Sequence, residues 1–120
     1  MICREIFTAA LILSGIPAAS AHAFLDHASP AVGSTVQQAP RQATLWFTVP
    51  IEPAFSGVAV RNDRGANVAR GSAHLGHGNR TELQIGLKRL PPGTYKVHWH
   101  VLSVDTHKTQ GSFSFTVGDK

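Results

Sequence analysis

The sequence predicts an all-β fold, a small antiparallel sandwich of about seven strands. Three observations carry that expectation. Apolar residues recur with period two in one short run after another. Turn-forming Gly, Pro, Asn and Asp punctuate the chain between the runs. No window shows the apolar stripe of an amphipathic helix.

The strands are expected near 23–28, 43–49, 57–62, 67–72, 81–87, 94–102 and 111–117. In the second, Leu45, Phe47 and Val49 alternate with Thr44, Trp46 and Thr48. Val58 and Val60 flank Ala59 in the third, and Leu83 and Ile85 alternate with Glu82 and Gln84 in the fifth. Tyr95, Val97, Trp99 and Val101 alternate with Lys96, His98 and His100, and Phe113, Phe115 and Val117 close the series. Each run buries one face and wets the other. Turns fall at Ser29-Pro30, Gly33-Ser34, Pro50, Pro53, Asn62-Asp63, Gly76 to Asn79, Pro91-Pro92-Gly93 and Gly111. Tyr95 follows a Pro-Gly turn at the start of a strand, the setting of a tyrosine corner.

The first residues read as a secretory signal. Ile6 to Ile16 is mostly apolar but short of the length that spans a bilayer, Pro17 ends it, and Ala19-Ser20-Ala21 has the small-residue pattern of a cleavage site. Residues 1–21 are therefore expected to be removed, which leaves residues 22–120 as one domain, 99 of the 120 residues. Cys3 and Met1 leave with the signal, so no sulfur ligand and no disulfide remain. The net charge stays at +4 after Arg4 and Glu5 are lost. The Lys and Arg residues are scattered without aromatic interleaving, which argues for a solvated basic surface and against nucleic acid. An exported protein with no membrane span of its own is expected.

Seven histidines stand out in a chain of this length. Cleavage after Ala21 would place His22 at the amino terminus, where the α-amine and the ring Nδ1 lie within chelating reach of one ion. Asp105 and His107 are two apart in Asp105-Thr106-His107, so in extended backbone they point the same way, although such a triplet is more often a turn with an Asx cap. Together these are three nitrogens and one oxygen with no sulfur, a set that suits Cu(II) first and Ni(II) next. Zinc would ordinarily want a tetrahedral set, and Cu(I) a thiolate or thioether. The other histidines read more plainly. His98 and His100 share an outer strand face, and His27 is placed on the surface. His74 and His77 lie in the glycine-rich stretch Ala73-His74-Leu75-Gly76-His77-Gly78, read as a flexible loop with a weak accessory site as the alternative.

The stretches HAFLDHASPAVGSTV, FTVPIEPAFSGV and LPPGTYKVHWHVLSVDTHKTQGSFSFTV resemble the CopC family of periplasmic copper-binding proteins over nearly the whole chain after residue 21. That resemblance implies a Greek-key β-sandwich or barrel, cupredoxin- or immunoglobulin-like. It implies Cu(II) ligation by His22, Asp105 and His107, and no catalytic residue. It also implies a periplasmic monomer that buffers copper, serves copper resistance, or hands copper to a CopD-type inner-membrane partner. Three positions depart from the family pattern. Val49 stands where some members carry a glutamate, no methionine-rich loop is present, and Lys108 replaces a common proline. The readings from other classes are a histidine-brace copper monooxygenase and a metal-free adhesion sandwich.

Overall fold

The computed structural model describes residues 22–119. The signal segment expected over residues 1–21, with its cleavage site, lies outside them. Eight strands run in chain order: β1 Leu25–Ser29, β2 Thr35–Val36, β3 Gln42–Phe47, β4 Gly57–Arg61, β5 Ala69–Gly76, β6 Asn79–Leu87, β7 Gly93–Leu102 and β8 Lys108–Val117. They form two four-stranded sheets, β1-β3-β6-β5 and β2-β8-β7-β4. The chain crosses between sheets at β1–β2, β2–β3, β3–β4, β4–β5 and β6–β7, and two hairpins, β5–β6 and β7–β8, stay within a sheet. The all-β sandwich is the expected architecture.

The period-two residues make the core. Along β7 the side chains of Tyr95, Val97, Trp99 and Val101 are buried while Lys96, His98 and His100 are exposed. Leu45, Ile51, Val60, Leu83, Ile85, Val97, Val101 and Phe115 are almost wholly buried between the sheets. Each such side chain contributes about 1.5–3 kcal/mol by leaving water. Trp99 meets Phe47 across the core edge-on, with ring centroids 5.2 Å apart at 70°. Gly111, opposite Trp99 in the β7–β8 ladder, gives the indole its room. A Cβ at Gly111 would lie 2.6 Å from Trp99 Cζ2. The Tyr95 hydroxyl donates to the Pro91 carbonyl, which is the tyrosine corner the sequence suggests. Burial, and secondarily the charge of Asp63, pushes the Tyr95 phenol up from its ordinary value.

Two elements differ from expectation. β2 adds an eighth strand of two residues, paired parallel to the end of β8 through Thr35↔Thr116 and Val36↔Val117. The glycine-rich stretch expected as a flexible loop is instead the end of β5 and a tight hairpin into β6. Its turn residues His77 and Gly78 both have positive φ, 54° and 71°. That is the backbone a two-residue hairpin loop needs to match strand twist. The glycines there permit the turn and do not loosen it.

The pairings place one end of the sandwich. Leu25 pairs with Phe47, Trp46 with Glu82, Gly57 with His100 and Leu102 with Lys108. The start of β1, β4, β6 and β8 and the end of β3, β5 and β7 therefore gather at one pole. Ile51 and Ser103 bridge there, and the Ile51 amide donates to the Arg80 carbonyl at 2.9 Å.

Candidate metal centre

The loop 103–107 joins β7 to β8 at this pole. Ser103 is fully buried and acts as its hub. Its backbone amide donates to the His107 carbonyl at 2.9 Å, and its carbonyl accepts from the Thr106 amide at 2.8 Å. Its Oγ accepts from the His107 amide at 3.1 Å and donates to Asp105 Oδ1. Thr106 takes φ of 72° to close the turn. A β-branched residue in that region is strained, by a cost of about 1–2 kcal/mol. The loop is pinned from below as well, by the Val104 amide donating to the Pro50 carbonyl at 3.1 Å.

The segment after Ala21 is tied to the same place. Ala23 is fully buried, and its carbonyl accepts from Thr109 Oγ1 at 2.6 Å. The Phe24 amide donates to Thr48 Oγ1 at 3.0 Å, and the Thr48 amide donates back to the Phe24 carbonyl at 2.9 Å. These bonds fix the chain one residue past His22. The His22 ring then lies beside that of His107, with centroids 4.6 Å apart and planes at 49°. Phe24 flanks His22 on its other side at 6.0 Å.

His107 Nδ1 stands 3.4 Å from Asp105 Oδ1. Both side-chain contacts of Asp105, from Ser103 and His107, fall on Oδ1. They hold its carboxyl below the ordinary value, the Ser103 hydrogen bond most strongly, with burial working in the opposite direction. Asp105 is thus a carboxylate at neutral pH. The imidazole is turned toward it with Nδ1, a contact of the kind that orients a metal-binding ring.

The structure thus brings the His22 and His107 rings together and sets Asp105 against His107. Among the described residues no three His, Cys, Asp or Glu side chains close as a ready-made ligand cluster. The remaining histidines lie apart from this pair. His27 stacks on Trp46 with centroids 4.3 Å apart and Nδ1 2.7 Å from Asp26 Oδ2. His98 Nδ1 is 3.0 Å from Ser112 Oγ on the outer sheet face, and the His100 ring lies over Gly57. Val49 packs against the core, and the carboxylate that follows it, Glu52, is held by Arg80 at 3.2 Å. Sequence reasoning missed Ser103, Thr109 and Thr48 as the residues that position the site. Ser103 stood two before Asp105, a spacing at which a hydroxyl regularly bonds to neighbouring groups.

Fold and donors together define a small all-β domain with two imidazoles and a carboxylate at one pole. The chain belongs to the CopC family: the family's CopC domain matches residues 25–118. Protein YobA of Escherichia coli strain K12 is 39% identical over 102 residues, 84% of this chain and 82% of that protein. The copper transport protein CutJ of Bacillus subtilis is 31% identical over 110 residues, 90% of this chain but 20% of CutJ. The crystal structure of PcoC, a methionine-rich copper resistance protein from Escherichia coli, superposes with a TM-score of 0.71 at 31% identity, covering 81% of this chain and 99% of PcoC. The copper-related role of the family is accordingly the role of this chain.

Proposed function

We propose that the protein, cut before His22, is a periplasmic Cu(II) carrier, and that His22, Asp105 and His107 hold the ion. The observation that carries this reading is the pairing of the His22 and His107 rings at 4.6 Å beside an ionised Asp105. Cleavage would add the α-amine of His22 to the donors. Two imidazoles, an amine and a carboxylate form a nitrogen–oxygen set of the kind Cu(II) favours. The cargo is bound and released rather than transformed, so the protein is not an enzyme. A carboxylate in the donor set also disfavours the Cu(I) state that a copper monooxygenase needs.

Delivery to a CopD-type membrane partner, or storage for copper resistance, follows from the same site. CutJ supports the delivery reading, because a stretch matching this chain forms a fifth of a larger copper transport protein. No helix among the described residues is long and apolar enough to cross a membrane. Phe24 and Val104, both substantially exposed beside the site, offer it an apolar rim. Electron paramagnetic resonance of the chain beginning at His22, loaded with one Cu(II), tests the ligand set. A tetragonal centre with nitrogen couplings is expected, altered in His107→Ala and in Asp105→Ala. A spectrum identical in all three proteins would refute the assignment.

A further inference from the structure

Glu82 points to the outer side of its sheet, yet its side chain is only 9% exposed. The β5–β6 hairpin covers it. Gly76 leaves the space that the carboxylate occupies, since a Cβ there would lie 2.3 Å from Oε2. Gln84 Nε2 donates to that oxygen at 3.1 Å, and His77 Nδ1 stands 3.5 Å from it. Among the described residues no Lys or Arg is ion-paired with Glu82. A carboxylate taken out of water with one amide bond and one imidazole is under-compensated, and a cation is what such a group lacks.

An imidazole nitrogen and a carboxylate oxygen are donors of the kind zinc takes, and their spacing leaves room for the ion. A tetrahedral ion with bonds of about 2.0–2.2 Å holds adjacent donor atoms about 3.3–3.6 Å apart. The 3.5 Å between His77 Nδ1 and Glu82 Oε2 falls in that range. The backbone of the turn places the imidazole beside the carboxylate. His77 occupies the first turn position with φ of 54°, where Gly, Asn or Asp is the usual residue. The ring is largely exposed, so an ion reaches the pair directly from solvent.

We propose that His77 and Glu82 form a second metal site, for a tetrahedral divalent cation of the zinc type. Gln84 positions the carboxylate and solvent fills the remaining coordination. The site shares no residue with the His22–His107 pair, and copper is no part of it. With two protein donors it binds more weakly than a closed structural zinc site.

Zn(II) titration of the chain beginning at His22, followed by the imidazole resonances of each histidine and by the backbone amide resonances of residues 76–82, which report the hairpin in the His77→Asn protein as well, tests this. The His77 signals are expected to shift saturably with added Zn(II), and the His22 and His107 signals report the other site independently. Glu82→Gln keeps the shape of the side chain and removes its charge. His77→Asn removes the imidazole and suits the left-handed turn. Each is expected to weaken Zn(II) binding at the hairpin by about tenfold or more. His77 signals that do not move with Zn(II), or a hairpin affinity unchanged in His77→Asn, would overturn the proposal. If Glu82→Gln does not fold, His77→Asn decides the question alone.

Discussion

At the scale of single residues, Ser103 does more for the candidate metal centre than any of its donors does for itself. One buried hydroxyl orients the Asp105 carboxylate and anchors the His107 amide. Ser103→Ala leaves the His107 N–H without its partner in a part-buried setting. The expected cost is about 1–3 kcal/mol in urea unfolding, with Cu(II) affinity lower by about 10–100-fold. Asp105 gives a second expectation, for the metal-free protein. Its folded-state proton affinity is lowered, chiefly by Ser103. The folded state therefore binds that proton less readily than the unfolded chain does. The resulting stabilisation is present above the ordinary aspartate range, near pH 4, and is lost as pH falls through the lowered folded value. Unfolding measured from about pH 6 to about pH 2 should show Asp105→Asn less stable than the parent at the upper end, with the gap narrowing toward the lower. A difference that persists unchanged at the acid end would contradict the account. Asp105 and His107 were legible as a pair from their spacing, although the extended backbone assumed for them is in the structure a turn. The hub role of Ser103 was not, since it depends on a turn whose closure needs Thr106 in the left-handed region.

At the scale of elements, strands with strict alternation were legible and the hairpin geometry was not. β7 reads directly from Tyr95, Val97, Trp99 and Val101, because each buried side chain leaves a polar neighbour on the wet face. β2 carries no such signal: two residues cannot show a period, and their partner lies about eighty positions away at Thr116 and Val117. The stretch around His74 and His77 was misleading for a different reason. Glycine permits both a loose loop and a tight turn, and only the pairing of His74 with Gln84 and Gly76 with Asn79 decides for the turn. Gly111 shows the opposite use of glycine, as space for a neighbour. Its φ lies outside the left-handed region, but Trp99 occupies the position of the missing side chain. Gly111→Ala must displace a buried indole or the strand beneath it. A loss of about 1–3 kcal/mol in chemical denaturation is expected, with near-ultraviolet dichroism of Trp99 altered. An unchanged midpoint and an unchanged tryptophan signal would show the contact to be slack.

At the scale of the whole molecule, the sandwich acts as a frame that brings the beginning of the domain against the last loop between its strands. Thr109 at the start of β8 and Thr48 at the end of β3 grip residues 23 and 24, so His22 is delivered to His107 from more than eighty residues away. The metal preference is also a property of the whole chain. After residue 21 there is neither methionine nor cysteine. Cu(I), a soft ion, should therefore bind poorly, whereas PcoC is described as methionine-rich. Competition against a Cu(I) chelator is expected to strip the ion from the protein, and tight retention would point to a site built from the surface histidines. The central claim, that the cut before His22 creates a ligand, is tested most directly by titrating two forms with Cu(II) side by side. One begins at His22 and the other carries Ala21 before it. In the second form the His22 nitrogen is a peptide amide, and one donor of four is lost. With a full site at about 10–16 kcal/mol, the extended form should bind more weakly by about 3 kcal/mol, roughly a hundredfold. Equal affinities would show that the amine is not a ligand and would contradict the account.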